Sequence, residues 1–482
     1  METSDENTQL KEDFQNKEDD STKEPDSKLD LNEALETAGF GCGTLLFSLG
    51  PFLLFCLEGG EIMILSIVGI MVRCEWELTT FWVTALQITV FIGMALASLL
   101  FSGAGDKFGR KPVALAGAIG VTIAGLLCGL ATKYWHLAVL RGLVGVFMGI
   151  GMGPSITLTA EIATVKWRGF LISYVSLAWG IGASLTSALA YYVVDPYGWR
   201  GFMLGTAIMF SPSIFFFAIM PESPRFEAKN RNWDRAENTV QTIAKLNCNS
   251  GSGIIKLKRV EDDDDTYNKE TGLFGALNFI KATGRMTDLA VVYALGFTAI
   301  FIYYTISYSM PRFLNEGYCT GIKVTQDESC IFNKSVLFDL GVISLFEPLG
   351  VLVAVILMEI IGRKKTFQSS ALLQLIALTA LYFCVNDKYS FVFFTISKFS
   401  AAQIGLSPFI LGAEYFPTEV RSFVVSFGLV FNRIGACAGI ACSQFIFNLH
   451  PRIVLAFAQI AAVVVSICLC VLGKETAGTH IE

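Results

Sequence analysis

Long apolar runs separated by short polar segments make up most of the chain. A helix needs about 20 residues to cross a hydrocarbon layer about 30 Å thick, and twelve runs approach or exceed that length. The pattern therefore predicts an all-α membrane protein with twelve transmembrane helices. The predicted spans cover residues 44–72, 79–102, 112–132, 137–158, 170–194, 201–220, 287–310, 336–358, 367–385, 389–412, 422–446 and 452–473.

One long polar connection, residues 221–285, separates the sixth span from the seventh. We expect it to be a cytoplasmic loop that divides the chain into two six-helix halves, residues 39–220 and 286–473. Outside the halves lie an acidic tail at 1–38 and a short cytoplasmic tail at 474–482. The first tail holds 13 Asp or Glu and 4 Lys or Arg without an apolar run. It is therefore predicted to be disordered and cytoplasmic rather than a signal peptide.

The basic residues of the short loops predict the orientation, because such residues stay on the cytoplasmic side of a membrane. If the N-terminus is cytoplasmic, the loops on that side hold nine Lys or Arg, against five on the opposite side. The nine are Lys107, Arg110, Lys111, Lys166, Arg168, Arg363, Lys364, Lys365 and Arg421, and the five are Arg73, Lys133, Arg200, Lys388 and Arg452. We predict that both termini are cytoplasmic.

The composition argues against several other classes of protein. With 53% hydrophobic and 16% charged residues, the chain has more apolar surface than one soluble core can bury. Three scattered histidines and no Cys-x-x-Cys spacing argue against a metal site. The sequence also lacks a phosphate-binding loop and a nucleophile-and-base constellation. We expect no metal, cofactor, enzymatic activity or nucleic-acid partner.

The two halves repeat each other. Adding 253 to a residue number in the first half leads to a residue of similar chemistry in the second. The pairs are Asp106 and Glu359, Gly109 and Gly362, Arg110 and Arg363, Lys111 and Lys364, Glu161 and Glu414, Arg168 and Arg421, and Glu222 and Glu475. A duplicated half predicts a solute pathway between the halves, around which each half can rock.

The repeated charges cluster in and around the loops that follow the second and eighth spans. Charges fixed there can pair with the other half in only one of two rocked states. We therefore predict a role in conformational gating for Asp106, Gly109, Arg110, Lys111, Glu161, Arg168, Glu359, Gly362, Arg363, Lys364, Glu414 and Arg421. A simple positive-inside anchor would explain Arg110 and Lys111, but not the repeated acid.

These loops resemble the signatures of a known family. The segments Asp106-Lys-Phe-Gly-Arg-Lys-Pro112, Glu359-Ile-Ile-Gly-Arg-Lys-Lys365 and Pro221-Glu-Ser-Pro-Arg225 resemble those of the major facilitator superfamily and its sugar and organic-ion branches. Finer strings, such as Glu61-Ile-Met-Ile-Leu-Ser-Ile67, resemble the branch of synaptic vesicle 2-related proteins. The resemblance covers about residues 39–475. It implies the major facilitator fold, and we expect a monomer in the lipid bilayer.

Charged residues inside apolar spans are the most informative positions, since each costs about 2.5 kcal/mol or more unless it is paired or hydrated. They are Glu58, Glu61, Arg141, Asp339, Glu347, Lys398 and Arg433. Glu58 and Glu61 share one helical face, which predicts a proton or cation site; a structural salt bridge from Glu61 to Arg141 is the alternative. The candidate solute- or proton-binding residues are Glu58, Glu61, Arg141, Tyr304, Asp339, Glu347 and Arg433.

The predicted function is secondary active or facilitative transport of a small organic solute by alternating access. We expect an organic ion, and a proton is a candidate coupling ion. Aromatic faces bind organic cations, so Trp179, Tyr303, Tyr304 and Tyr308 are candidates to line the cavity. The rival hypothesis is a receptor or trafficking protein that keeps the fold without transport. The resemblance implies the plasma membrane or the membrane of secretory or synaptic vesicles.

The polar loop between the seventh and eighth spans contains Cys319 and Cys330. The charge count places this loop on the oxidising side, where disulfides persist, so we predict that the two cysteines are paired. Cys74, in the first loop on the same side, is the alternative partner. The sequon at Asn333 lies in the same loop and supports the sidedness weakly.

Overall fold

A computed structural model describes residues 29–101, 103–164, 166–248, 255–259, 273–316, 334–383, 387–416 and 418–472. These residues are almost entirely helical, and their β-structure is limited to one isolated bridge between Leu29 and Leu257. The prediction of an all-α fold is confirmed.

The helices follow the predicted spans closely. They are α1 (Leu31–Ala38), α2 (Cys42–Glu75), α3 (Thr80–Leu100), α4 (Ala104–Phe108), α5 (Arg110–Gly129), α6 (Tyr134–Ile162), α7 (Arg168–Phe210), α8 (Pro212–Ile219), α9 (Pro224–Lys229), α10 (Trp233–Leu246), α11 (Leu273–Ala282), α12 (Met286–Glu316), α13 (Lys334–Ile361), α14 (Arg363–Tyr382), α15 (Asp387–Tyr415), α16 (Thr418–Ala441), a π-helical turn (Cys442–Ile446), α17 (Phe447–Leu449) and α18 (Pro451–Val471).

Nine helical stretches in the described part are long and apolar enough to cross a membrane. One of them, Arg168–Lys229, contains both the fifth and the sixth predicted spans. Its helix α7 breaks at Gly198, whose φ of 63° and ψ of −168° are not helical. Helices α14 and α15 occupy the ninth and tenth predicted spans. They are not among the nine apolar stretches because their polar residues lower their mean hydropathy.

Helix packing joins the spans into two bundles and then joins the bundles. In the N-terminal half α2 packs on α7, and in the C-terminal half α12 packs on α16. Between the halves, α7 packs on α13 and α3 packs on α16. The α2 and α7 backbones approach so closely that a Cβ on Gly182 would lie 1.8 Å from the carbonyl oxygen of Cys56. Small residues permit such close helix contacts in membranes.

Two parts of the polar segments depart from the prediction. Residues Leu31–Ala38, assigned to the disordered tail, form a helix because Asp30 and Glu33 make a capping box and Leu35 is buried. The connection predicted as a loop at 221–285 contains α9, α10 and α11. Helix α10 has a buried apolar stripe that includes Val240 and Ile243, so it is stabilised by packing that a charge count does not reveal.

The helical assembly has two faces, the terminal side and the far side. The terminal side carries α1, α10 and the loops that contain Asp106 and Glu359. The far side carries the loop between α2 and α3 and the end of α17. The expectation that the terminal side is cytoplasmic stays a prediction.

Candidate functional site

Glu58 of α2 forms an ion pair with Arg433 of α16, so the contact crosses from one half to the other. Nη2 of Arg433 donates to Oε1 of Glu58 at 2.6 Å. The Glu58 side chain is 3% exposed, whereas that of Arg433 is 18% exposed. This pair is therefore a bridge between the halves, and its arginine is the more exposed partner.

Glu61, one helical turn later on α2, pairs with Arg141 of α6. Both residues belong to the N-terminal half, and their side chains are 5% and 2% exposed. The structural salt bridge that was the alternative to a free carboxylate at Glu61 is thus present. A role of this pair in proton binding stays a prediction.

The two carboxylates of α2 have separate partners. Glu58 reaches across to the C-terminal half and Glu61 stays within its own bundle. The idea of one site shared by two adjacent carboxylates is not supported by this geometry, because each acid has a guanidinium of its own. Sequence spacing placed them on one face but could not show which helices pack against that face.

A second buried network lies in the C-terminal half. Nζ of Lys398 on α15 donates to Oε1 of Glu347 on α13 at 2.7 Å and to the hydroxyl of Ser307 on α12 at 2.7 Å. The Lys398 and Glu347 side chains are 0% and 2% exposed. The sequence identified Lys398 as an intramembrane charge, but Lys398 and Ser307 were missing from the candidate site. A buried acid needs a base as its partner, so Glu347 in an apolar span was the signal that could have added Lys398 to the candidate site.

Aromatic residues on α12 connect this network to the N-terminal half. The Tyr303 hydroxyl donates to Oε2 of Glu347 at 2.7 Å and accepts from Nε1 of Trp179 on α7 at 2.9 Å. The Tyr304 ring packs edge to face on Phe91 of α3, with ring centroids 4.9 Å apart. Trp179, Tyr303 and Tyr304 thus lie where the halves meet, and the prediction that they line a solute pathway stays a prediction.

Asp339 lies apart from these clusters. It is on α13 two helical turns before Glu347, toward the far side, and its side chain is half-buried. It forms no ion pair with another residue of the described ranges. The structure therefore does not bring Asp339 together with the other candidate residues.

The gating loops form equivalent ion pairs in the two halves. In the N-terminal half, Arg110 contacts Asp106 at 2.8 Å and Glu161 at 3.4 Å. In the C-terminal half, Arg363 contacts Glu359 at 3.5 Å and Glu414 at 3.3 Å. The 253-residue repeat is therefore a repeat of contacts as well as of sequence.

Glu222 and the glycine of the first loop hold the start of α5. The carboxylate of Glu222 accepts from the backbone N–H groups of Arg110 at 3.1 Å and Lys111 at 3.2 Å, at the positive end of α5. Gly109 has a φ of +100°, and a Cβ there would lie 2.4 Å from Oε2 of Glu222. Gly362 repeats this conformation with a φ of 92°. A side chain at Gly109 would strain the turn and displace the carboxylate.

Lysine and arginine side chains in both halves bind helix ends. Nζ of Lys111 donates to the carbonyl of Ala218 at 2.9 Å, and Nζ of Lys364 donates to that of Leu472 at 2.8 Å. Arg168 donates to the carbonyl of Ala160 at 3.1 Å. The side chain of Arg421 and the residue Glu475 lie outside the described part of the chain.

Polar contacts between the halves lie on the far side and in the middle. On the far side, Lys334 pairs with Asp195 at 3.1 Å and Asn448 donates to the Thr80 hydroxyl at 2.8 Å. On the terminal side, the ion pairs of Arg110 and Arg363 in the described part of the chain each stay within one half. We call this arrangement, in which polar contacts join the two halves on the far side, the far-side-closed state.

The cysteine prediction falls partly outside the described residues. Cys319, Cys330 and Asn333 all lie there, so their pairing and modification stay predictions. Cys74, the alternative partner, is disulfide-bonded, whereas eight other cysteines in the described ranges are free. This observation favours the alternative in which Cys74 takes part in the far-side disulfide.

Comparisons with known proteins agree with the architecture. The family described as "Sugar (and other) transporter" matches residues 6–482. A "Putative transporter SVOPL" from Danio rerio is 29% identical over 465 residues, which cover 93% of this chain and 89% of the relative. A "Synaptic vesicle 2-related protein" from Rattus norvegicus is 26% identical over 464 residues, covering 94% and 82%.

Solved structures show the same fold at low sequence identity. The partially occluded inward open conformation of the xylose transporter XylE from E. coli has a TM-score of 0.66 and 15% identity, covering 90% of this chain and 100% of that one. Its inward open conformation also has a TM-score of 0.66, with 16% identity and coverage of 91% and 97%. The likeness confirms the major facilitator fold with twelve helices.

Proposed function

Because the chain belongs to the sugar (and other) transporter family, and is therefore a multi-pass membrane transporter, we propose that its solute is an organic ion that moves together with a proton. The observation that carries this proposal is the ion pair between Glu58 and Arg433, which joins the two halves. A buried charge pair is a poor way to stabilise a fold, because desolvation offsets much of the attraction. Its place between two moving halves indicates a functional use.

The exposure of the buried charges favours an anionic solute. Arg433 is 18% exposed, whereas the side chains of Arg141 and Lys398 are at most 2% exposed. A carboxylate entering between the halves reaches Arg433 first and can replace Glu58 as its partner. Glu58 is then left without a base, and taking up a proton removes its charge. Solute and proton would cross together with no net charge.

Aromatic residues between the halves suit an organic solute. Tyr304 is buried there, and its ring contacts Phe91 of the other half. An aromatic face beside a charged group offers a solute apolar contact and orientation. We propose that the protein works as a monomer in the plasma membrane or a secretory vesicle membrane, with both termini in the cytoplasm.

Uptake into sealed proteoliposomes tests the proposal. The purified full-length protein is supplied in turn with labelled organic anions, organic cations and neutral sugars, each with and without a proton gradient. The proposal expects uptake of at least one anion, stimulated by a lower pH on the side of the anion. Uptake of a cation or sugar alone contradicts the proposed substrate class. No uptake of any class supports a non-transporting protein that keeps the fold.

A further inference from the structure

A chain of four side chains, here called the central chain, runs from the C-terminal half to the N-terminal half. It begins at Lys398 on α15, whose Nζ donates to Oε1 of Glu347. The Tyr303 hydroxyl donates to Oε2 of the same carboxylate and accepts from Nε1 of Trp179 on α7. Three hydrogen bonds of 2.7–2.9 Å thus connect Lys398 to the other half, although its own hydrogen-bond partners lie on α12 and α13 of the C-terminal half.

The chemistry of the central chain fixes which group donates at each step. The Lys398 ammonium and the Trp179 indole N–H can only donate, and an ionised carboxylate can only accept. A tyrosine hydroxyl has one hydrogen to donate. Glu347 takes that hydrogen, so an oxygen lone pair of the tyrosine remains for Trp179. The direction of every bond is therefore set from the lysine to the opposite half.

Lys398 holds two members of the central chain at once. Its side chain is 0% exposed, and its Nζ contacts the Glu347 carboxylate and the Ser307 hydroxyl, each at 2.7 Å. The same Nζ lies 4.4 Å from the centroid of the Tyr303 ring. Removing one partner of a buried ion pair leaves an uncompensated charge. The lysine therefore keeps the carboxylate ionised and in the place where the tyrosine meets it.

The last bond of the central chain depends on a close approach of the two halves. Gly180 follows Trp179 on α7, and a Cβ on Gly180 would lie 2.4 Å from Cδ of Pro348 and 2.8 Å from Cβ of Glu347 on α13. Small residues permit such contacts between helices in membranes. Separation of α7 from α13 would break the bond between Trp179 and Tyr303, while the bonds within the C-terminal half could persist.

We infer that Lys398 is a positioning residue for transport, which acts through Glu347 to orient the Tyr303 hydroxyl toward Trp179 and so latches α7 to α13. The lysine acts through two other side chains and not by touching the solute. The inference concerns the movement of the halves, so it depends neither on the identity of the solute nor on a coupling ion. The alternative is a lysine that only neutralises Glu347 within its own bundle, and its loss would not reach Trp179.

Fluorine NMR of the full-length protein in lipid nanodiscs distinguishes the two roles. The tryptophans are replaced by 5-fluorotryptophan, and the Trp179 signal is the one that disappears in Trp179→Phe. Tyr303→Phe removes the acceptor of the indole N–H and should shift that signal. Lys398→Met keeps the length of the side chain without its charge and should shift the signal in the same direction. An unchanged Trp179 signal in Lys398→Met overturns the inference.

A double variant separates the central chain from a direct effect of the lysine charge on the fluorine signal. In Tyr303→Phe the hydroxyl is already gone, so adding Lys398→Met should cause no further shift, because effects within one network are not additive. A further shift of the size seen in the single variant would show that the lysine reaches Trp179 by another path, and would overturn the inference.

Two more variants control for folding and packing. Tyr308→Phe is the matched control, since Tyr308 is also buried on α12 and its hydroxyl has no hydrogen-bond partner among the described residues. It should leave the Trp179 signal in place, and an equal shift there would contradict the inference. If Lys398→Met does not fold, Ser307→Ala removes one acceptor of the lysine without changing a charge. It should cause a smaller shift in the direction of Tyr303→Phe, and no shift overturns the inference.

Discussion

Glu58→Gln should shift the conformational equilibrium toward a state in which the far side is open. Glutamine keeps the shape of the side chain but removes the charge that pairs with Arg433 across the halves at 2.6 Å. In the far-side-closed state the variant leaves a guanidinium buried beside a neutral amide. A rocked state that widens the cleft hydrates Arg433, so the substitution destabilises the closed state selectively.

The size of the shift can be bounded from burial. Removing one partner of a fully buried ion pair costs about 3–5 kcal/mol. Arg433 is 18% exposed, so the penalty should lie between that range and the value of about 0–1 kcal/mol for an exposed pair, and we take about 1.4–2.8 kcal/mol. Since about 1.4 kcal/mol corresponds to a tenfold change in an equilibrium constant, the open population should rise by about 10- to 100-fold. An open fraction of about 1% would thus become about 10–50%.

Spin-label distances across the far side measure this population. Tyr197→Cys and Leu449→Cys place labels on exposed far-side positions of opposite halves, in a background without other free cysteines. Double electron–electron resonance should show a longer distance gaining weight in Glu58→Gln. The control is the exchanged pair Glu58→Arg with Arg433→Glu, which restores opposite charges and should restore the shorter distance. An unchanged distribution in Glu58→Gln, or no recovery in the exchanged pair, would refute the reasoning.

Three further outcomes are expected. Glu61→Gln should abolish proton-driven uptake while surface expression stays normal, because the amide cannot take up a proton; full activity measured in proteoliposomes would contradict this. Asp106→Ala should change the turnover number more than the apparent affinity, since the loop lies far from the buried charges, and uptake kinetics with the reverse pattern would place the loop in solute binding. Peptide mapping of the unreduced protein should find Cys74 joined to Cys319 or Cys330, and an unmodified thiol at Cys74 would rule this out.

Much of the fold could be predicted because lipid imposes a simple rule on sequence. A chain in hydrocarbon must satisfy its backbone hydrogen bonds internally, so long apolar runs become helices. The spans predicted at 44–72 and 112–132 correspond to α2 at Cys42–Glu75 and α5 at Arg110–Gly129. The rule does not apply to polar segments such as the connection at 221–285. Helix α10 forms there because its apolar stripe packs on neighbouring residues, which a hydropathy pattern does not identify.

The candidate site was predictable in its residue types and not in its pairings. The cost of charge in a membrane identifies Glu58, Glu61, Glu347, Lys398 and Arg433 from sequence alone. Which acid meets which base depends on how helices rotate and pack, and those angles are set by many contacts at once. The ion pair of Glu347 with Lys398 joins residues 51 positions apart on two helices, a distance at which helical periodicity carries no information.

We propose that the repeated loops allow a symmetrical sequence to adopt two alternating states. In the far-side-closed state, Arg110 and Arg363 are each neutralised within their own half, while Lys334 and Asp195 join the halves on the far side. If the halves rock to close the terminal side, we expect the far-side contacts to separate and the loop charges to come within reach of the opposite half. Neither set of contacts needs to be strong. Since exposed ion pairs contribute about 0–1 kcal/mol each, the two states can stay close in free energy, and a bound solute or proton can then decide between them.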